Sequence, residues 1–487
     1  MSADFTTLAR GVIAAGFHDS AGPGSPFGAY IVFARNCATL AELRASTDAL
    51  RARTFDGEPP LIAIDQEGGR VARLRDGVEP MPSMMALGAC GDMEPAMRAG
   101  EQVAFDLRRA GCTMNFAPSL DLALDPANTV IGNRSLGADP SAVARLGAAF
   151  AKGLERGGIL ACYKHFPGHG STATDSHDAL PSVDADERTL RARDLAPFAA
   201  VAPSAGAIMS AHVVVHAFDS TRPASLSPAV TRILRDELRF SGAYLTDCLE
   251  MGAVAGLDQR LQPGVVALAA GADLLLVSHD VELAERLVLA IVEAVASGAL
   301  SEQRLSEAYD RVVRLRRAGA LPLDLHDVAP HPGVGREIAR RAITLVRGLA
   351  HVDPLTSCAI DFGGIGDGPH LSHEAPALER FGFPVEPQDE AAPLEAVVRS
   401  GRRPLVLARR AHLHARQARA IAQILERYPD AVVVSMLEPF DLPLFERARH
   451  VLAAYGDDLA SLGGLADVIF GGSMPHGRLP VGVALGV

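Results

Sequence analysis

From the amino terminus to about residue 320, short continuous apolar runs alternate with stretches in which apolar residues recur every three to four positions. The continuous runs read as strands: Phe27–Phe33, Leu61–Asp65, Thr113–Ala117, Ile159–Lys164, Ala207–His212, Ala243–Asp247 and Asp273–Ser278. The periodic stretches read as helices. One opens on Asp139-Pro140, a good cap and first-turn pair, and puts Val143, Leu146, Phe150 and Leu154 on one face. Others run over Pro228–Leu238 and Val281–Ala296. Strands apolar on both faces must be covered on both, which calls for a parallel sheet wrapped by helices. The pattern predicts an α/β fold, a (β/α)8-type TIM barrel, with an open doubly wound sheet as the second reading. No GxGxxG follows the first strand, so a dinucleotide fold has little support.

The alternation breaks at Leu321–Pro332, a proline-rich piece that reads as an ordered linker. A helix at Arg336–Ala342 and an apolar run at Ile343–Val346 follow. A smaller α/β pattern then comes: Cys358–Phe362, Pro404–Ala408, a long helix over Ala415–Arg427, and Ala431–Met436. His450–Ala454 and Val468–Phe470 continue it, and Gly471–Pro480 is a turn-rich tail. The predicted organisation is a barrel over residues 1–322, a linker and connecting helix over 323–349, and a C-terminal α/β sandwich domain over 350–487. A chain of 487 residues exceeds what one core usually organises, in keeping with two domains.

Composition narrows the function classes. A formal net charge of -12 with no basic run disfavours nucleic acid as a partner. The six cysteines show no CxxC spacing and mostly sit in apolar runs, so buried free thiols and a reducing compartment are expected. Gly11–Gly16 is too short for a signal core, and no apolar run is long enough to span a bilayer. A cytoplasmic protein without a membrane partner is the expectation.

The polar residues fall where a barrel would use them. Asp65, Lys164, His212 and Asp247 each end an apolar run, and chemistry in a barrel is built on the rim formed by the strand C-termini. The densest stretch is Lys164-His165-Phe166-Pro167-Gly168-His169-Gly170-Ser171-Thr172-Ala173-Thr174-Asp175-Ser176-His177. Its polar groups could not be buried without partners. Asp175 and His177 lie two residues apart, so a modest turn joins them. A carboxylate on one imidazole nitrogen raises the basicity of the other, as a general acid/base requires. Blander readings stand beside these. Asp247 alone could be a helix cap or an ion-pair partner, and the Asp175–His177 pair a solvated loop. His165 and His169 could both be structural; ligand binding suits His165 and bracing suits His169. Spacing from Asp65 favours Arg73 over Arg70 as a ligand. No second carboxylate and no cysteine has matching spacing to complete a metal site with the three histidines.

Three further stretches join that loop: Ile64-Asp65-Gln66-Glu67-Gly68-Gly69-Arg70-Val71-Ala72-Arg73, Val130-Ile131-Gly132-Asn133-Arg134-Ser135-Leu136-Gly137, and Tyr244-Leu245-Thr246-Asp247-Cys248-Leu249-Glu250-Met251-Gly252. Together they resemble the family-three glycoside hydrolases, and within them the β-N-acetylhexosaminidases that release terminal β-N-acetylglucosamine. Lys-His-Phe-Pro-Gly-His-Gly followed by Asp-Ser-His is close to a signature of that branch. Ala453-Ala454-Tyr455-Gly456 and Gly477-Arg478-Leu479-Pro480 match the family's second domain more loosely.

The resemblance implies Asp247 as nucleophile, His177 as acid/base and Asp175 as its partner. It implies Asp65, Arg73, Arg134, Lys164 and His165 as sugar ligands. It implies a retaining exo-β-N-acetylglucosaminidase without cofactor or metal, acting on a small saccharide, with muropeptides or chitin oligosaccharides as substrates and cell-wall recycling as the setting. A β-glucosidase or a β-N-acetylglucosaminide phosphorylase is the alternative on the same fold. A non-catalytic sugar-binding protein is the alternative from another class, against which the joint presence of Asp247, Asp175 and His177 argues. Cys248 departs from the pattern, standing where a second aspartate is common in the branch. The glycines of the loop predict mobility, with His177 away from Asp247 when no ligand is bound.

Overall fold

A computed structural model of the chain describes residues 4–18, 24–37, 39–172, 180–255, 263–320, 329–362, 381 and 393–483. Nine ladder segments form the first sheet. In chain order they are β1 (Ile13–Gly16), β2 (Ala29–Val32), β3 (Leu61–Ile64), β4 (Met114–Asn115), β5 (Leu160–Ala161), β6 (Tyr163–Phe166), β7 (Ala207–Ser210), β8 (Ala243–Cys248) and β9 (Leu274–Val277). Every pairing is parallel, and the spatial order is β5-β4-β3-β2-β1-β9-β8-β7-β6. The two ends of that order, β5 and β6, are separated in the chain only by Cys162. The predicted run Ile159–Lys164 thus divides between two neighbours, and the ring comes round to a TIM-type barrel.

The seven predicted strands are all present, most of them trimmed at their ends, with Ile159–Lys164 running on to Phe166 and Ala243–Asp247 to Cys248. The missing position was β1. Its residues Ile13-Ala14-Ala15-Gly16 are wholly buried, and β1 pairs with β2 on one side and β9 on the other. An isoleucine followed by three small residues carries no alternation, so the sequence weighed them only as a signal core.

Ala14, Ile31, Ala63, Met114, Met209, Leu245 and Leu276 pack in one buried cluster, joined by Val312 and Leu315 of helix Glu302–Gly319. Gly319 lies against Leu61, Thr113 and Leu160, at the start of neighbouring strands. This helix therefore covers the N-terminal end of the barrel, and the polar strand ends gather at the other. Helix Pro140–Arg156 buries the predicted stripe of Val143, Leu146, Phe150 and Leu154, and the Asp139 carboxylate accepts from the Ala142 N–H. It crosses helix Met93–Arg109 at Gly100 and Gly153, where a Cβ on either glycine would strike the opposite backbone at 2.1 Å.

The second sheet has five strands: β10 (Thr344–Arg347), β11 (Ser357–Asp361), β12 (Arg403–Ala408), β13 (Val432–Ser435) and β14 (His450–Ala453). Their order is β10-β14-β13-β12-β11, parallel except for the edge strand β10. This sheet takes in β10, ahead of residue 350. Leu405, Leu407, Val432 and Val434 face Leu462, Leu465 and Ile469 of helix Leu459–Ile469. Val406 and Val433 face Ile421, Ile424 and Leu425 of helix Ala415–Arg427. The layers are those of an α/β sandwich. The apolar run Val468–Phe470 is the end of helix Leu459–Ile469, opened by Asp458, whose carboxylate accepts from the Ser461 N–H. The predicted linker falls partly on residues 321–328, outside the described residues; the predicted helix follows as Val334–Ala342.

All six cysteines are free: Cys37, Cys112, Cys162 and Cys358 are buried, Cys90 and Cys248 half-buried. Among the described residues no helix is long and apolar enough to cross a membrane.

Candidate active site

The site is assembled around Lys164. It lies in β6, only 2% exposed, and its Nζ sits 2.7 Å from Asp65 and 2.6 Å from Glu67. Asp65 directly follows β3, and Glu67 lies in a short hairpin, Gln66–Gly68 with Val71–Ala72. The hairpin returns Arg73 toward Asp65 at 3.5 Å, with its guanidinium 5.6 Å above the Phe33 ring. Arg134, closing the 3-10 turn Gly132–Arg134, forks onto Glu67 at 2.8 and 3.0 Å. Three cations thus interleave with two carboxylates, Lys164 and Glu67 deeply buried and Arg73 at the open edge. Burial alone would raise the Asp65 carboxyl, but Lys164 and Arg73 outweigh it and hold Asp65 below its ordinary value. Burial likewise opposes ionised Glu67, and Arg134 and Lys164 hold it far below the usual carboxylate range. Lys164 is raised: burial disfavours its charge, while Asp65 and Glu67 favour it more.

Glu67 was passed over in the sequence, although it stands in the quoted stretch. The signal was the hairpin: a one-residue alternation from Asp65 returns position 67 to the same side. This carboxyl makes stability pH-dependent. A group whose folded pKa is depressed stabilises fully above its unfolded value, here 4.5, and the contribution fades as pH falls below that. Wild type should therefore exceed Glu67→Gln by about 3 kcal/mol in denaturant unfolding at pH 7, with a smaller gap at pH 4. A gap that does not change with pH would contradict this assignment.

The second group is His165 with Asp121, a residue the sequence reading did not select. Asp121 is fully buried and accepts from His165 Nδ1 at 2.5 Å, from the His165 N–H at 3.2 Å and from the His169 N–H at 2.7 Å. Burial would raise Asp121, yet these contacts bring it down to about 2. Donation from Nδ1 leaves Nε2 to accept from Arg134, 3.4 Å away. A carboxylate in the apolar run Leu120-Asp121-Leu122 needed a buried partner, and that signal was readable.

Asp247 lies in β8, half-buried, and one of its oxygens accepts from the Cys248 N–H at 2.7 Å. Burial pushes its carboxyl up; His165 and His212, then the Cys248 N–H and Lys164, more than reverse this, so Asp247 is held ionised. His212 belongs to the site's support. Its Nε2 donates to the Cys248 carbonyl at 2.9 Å, and its Nδ1 accepts from the Ser225 hydroxyl at 2.6 Å. Burial lowers its pKa, against the opposing pull of Asp247. The Cys248 thiol turns away from Asp247 and donates to Glu250 at 3.3 Å. Burial pushes that thiol up to about 12, so it is no rival nucleophile. Glu250 also accepts the N–H groups of Ser278, His279 and Asp280, tying the ends of β8 and β9 together.

Arg70 does not reach Asp65. Its Nη2 donates to the carbonyls of Thr129 and Val130, at 2.6 Å each, so it braces the loop that carries Arg134. His169 is a brace as well. Its Nδ1 meets the Thr172 hydroxyl at 2.7 Å, its carbonyl accepts from Asn128 at 2.8 Å, and burial lowers its pKa to about 4. Asp175 and His177, and the expected distance from His177 to Asp247, lie outside the described residues. Among the described residues no group of histidine, cysteine and carboxylate side chains could hold a metal ion. Five of the eight predicted site residues thus meet in one network of ion pairs and hydrogen bonds, with Asp247 in electrostatic reach of it.

Residues 24–315 match the family described as Glycosyl hydrolase family 3 N terminal domain. A beta-hexosaminidase of Chromobacterium violaceum is 38% identical over 300 residues, 60% of this chain and 81% of that one. A beta-hexosaminidase of Bordetella avium is 39% identical over 313 residues, 61% of this chain and 83% of the other. A solved glycoside hydrolase family 3 beta-N-acetylglucosaminidase from Paenibacillus sp. str. FPU-7 superposes with a TM-score of 0.89 at 33% identity, covering 99% of each chain.

Proposed function

The chain belongs to glycosyl hydrolase family 3 and is a glycoside hydrolase, and on that premise we propose that it is a retaining exo-β-N-acetylglucosaminidase. The observation that carries this reading is the charge pattern at the barrel rim. An ionised carboxylate, Asp247, has as neighbours His165 and Lys164, which also belong to the set of sugar-bonding groups. Asp65 accepts from two hydroxyls of the terminal sugar, and Lys164, Arg134 and Arg73 donate to others. His165 presents Nε2 to the same sugar. Asp247 attacks the anomeric carbon as the aryl or sugar oxygen leaves, giving a covalent glycosyl-enzyme. His177, oriented by Asp175, protonates the departing oxygen and then takes a proton from the attacking water. A neutral imidazole puts no second negative charge beside the glycosyl-enzyme, which sets this chemistry apart from the usual carboxylate pair.

The sugar assignment follows the 33% identical Paenibacillus beta-N-acetylglucosaminidase, which matches this chain from end to end. We take muropeptide fragments or chitin oligosaccharides as the substrates, cytoplasmic cell-wall recycling as the setting, and residues 1–322 as the catalytic unit. The test is an assay on aryl β-N-acetylglucosaminide and aryl β-glucoside, each with and without phosphate. N-acetylglucosamine should be released, first as its β-anomer, at a rate phosphate leaves unchanged. Cleavage of the glucoside alone would overturn the sugar assignment, and a sugar 1-phosphate product would change the reaction class.

A further inference from the structure

We propose that Glu438 and Arg410, carried by the second sheet, are positioning residues for the active site and act by holding the 126–135 loop that presents Arg134. Both follow C-terminal ends of the second sheet's parallel strands, Arg410 after β12 and Glu438 after β13. Both are buried, and they form a forked pair with contacts of 2.9 and 3.0 Å. The same Glu438 oxygen that takes Arg410 Nη2 accepts from the Asn133 N–H at 2.9 Å. The loop rests directly on this carboxylate: Gly132 has φ +43°, and a Cβ there would lie 2.1 Å from it. Asn133 Nδ2 donates to the Tyr455 carbonyl, after β14, at 3.1 Å. His412 meets the Pro126 carbonyl at 3.0 Å, at the other end of the loop. Arg410 and Tyr455 have φ of +51° and +65°, a backbone region costly for residues with a Cβ, and both strained residues face this loop.

Within the loop so clamped, Arg134 forks onto Glu67 and approaches His165, while Asn128 donates to the His169 carbonyl. A sugar ligand must be held to within about half an ångström to make directional bonds. A buried ion pair is well suited to fix such a register, because no shifted register keeps both charges paired. The inference rests on the proposed function in taking Arg134 as a sugar ligand.

The test compares Glu438→Gln with wild type on whichever aryl β-glycoside wild type cleaves, so a wrong sugar assignment leaves it intact. KM should rise about tenfold with kcat within about threefold, because a bond to the sugar in ground and transition state alike appears in KM. In an Arg134→Met background the same substitution should raise KM no further, since Arg134 is the intermediary. Asp92→Asn, which breaks the exposed Arg341–Asp92 pair elsewhere, should leave KM and kcat unchanged. Should Glu438→Gln not fold, Arg410→Lys carries the same expectations. Unchanged KM, additive effects with Arg134→Met, or an equal rise in Asp92→Asn would each overturn the positioning role while leaving the proposed activity standing.

Discussion

Replacing Asp247 with alanine should lower kcat on the order of 10^4-fold or more, with the fold intact. The fold is spared because this half-buried carboxylate accepts locally, from the N–H of its neighbour Cys248, and among the described residues no cation is ion-paired to it. The rate is not spared, because no other described carboxylate is placed to replace it. Asp65 and Glu67 are occupied by Lys164, Arg73 and Arg134, and Asp121 by His165. Cys248 remains a thiol at neutral pH. The smaller Asp247→Gly variant sharpens the test. With a dinitrophenyl glycoside, whose leaving group needs no proton, azide can enter the vacated space. Attack from the face opposite the departing phenolate gives the α-glycosyl azide. Azide added to a His177→Ala variant, in which Asp247 still forms the covalent intermediate, should instead give the β-azide. A β-azide from Asp247→Gly, or turnover in Asp247→Ala within about tenfold of wild type, would discard the nucleophile.

The barrel was legible because its strands are buried on both faces and read as unbroken apolar runs, as Ala207–Ser210 and Leu274–Val277 are. β1 escaped because it is short and, after the single β-branched residue Ile13, only Ala14, Ala15 and Gly16 follow, too little bulk to mark a strand. In the site, residues at strand ends were legible from position, Arg73 and Arg134 came through the family resemblance, and Glu67 and Asp121 were missed. Asp65, Lys164 and Asp247 each terminate or follow a run, so position betrayed them. Glu67 depends on a hairpin of three and two residues, and Asp121 on a partner 44 positions away. Such pairings are fixed only when the ring of strands brings them together. Arg70 and Arg73 show the same limit in a milder form. Spacing favoured Arg73, but only the carbonyls of the 129–131 segment explain where Arg70 goes.

The Lys164→Met variant should be the most damaging substitution outside the nucleophile, and it should act on stability and binding together. Methionine reproduces the length and volume of the lysine stem, so packing around β6 is kept. The charge is lost where it matters most: Nζ is 2.6 and 2.7 Å from two carboxylates, with the side chain 2% exposed. Arg134 remains on Glu67 and Arg73 on Asp65, the latter at 3.5 Å and partly exposed. Asp65 is therefore the oxygen pair left short of a cation. Breaking a buried pair by removing one partner costs about 3–5 kcal/mol, which thermal unfolding would report as a clear fall in Tm. Binding suffers separately, because the same ammonium is a proposed hydroxyl donor and aligns Asp65 for the sugar. A fall in kcat/KM on the order of 10^2 to 10^3-fold is expected. The two effects can be separated by adding Asp65→Asn. Neutralising the stranded carboxylate should restore part of the lost stability, since an uncharged pair no longer leaves a bare buried ion. It should restore none of the activity, since Asp65 is itself a sugar ligand. Recovery of both in the double variant would show that Lys164 serves only to neutralise Asp65. Recovery of neither would place its principal partner at Glu67.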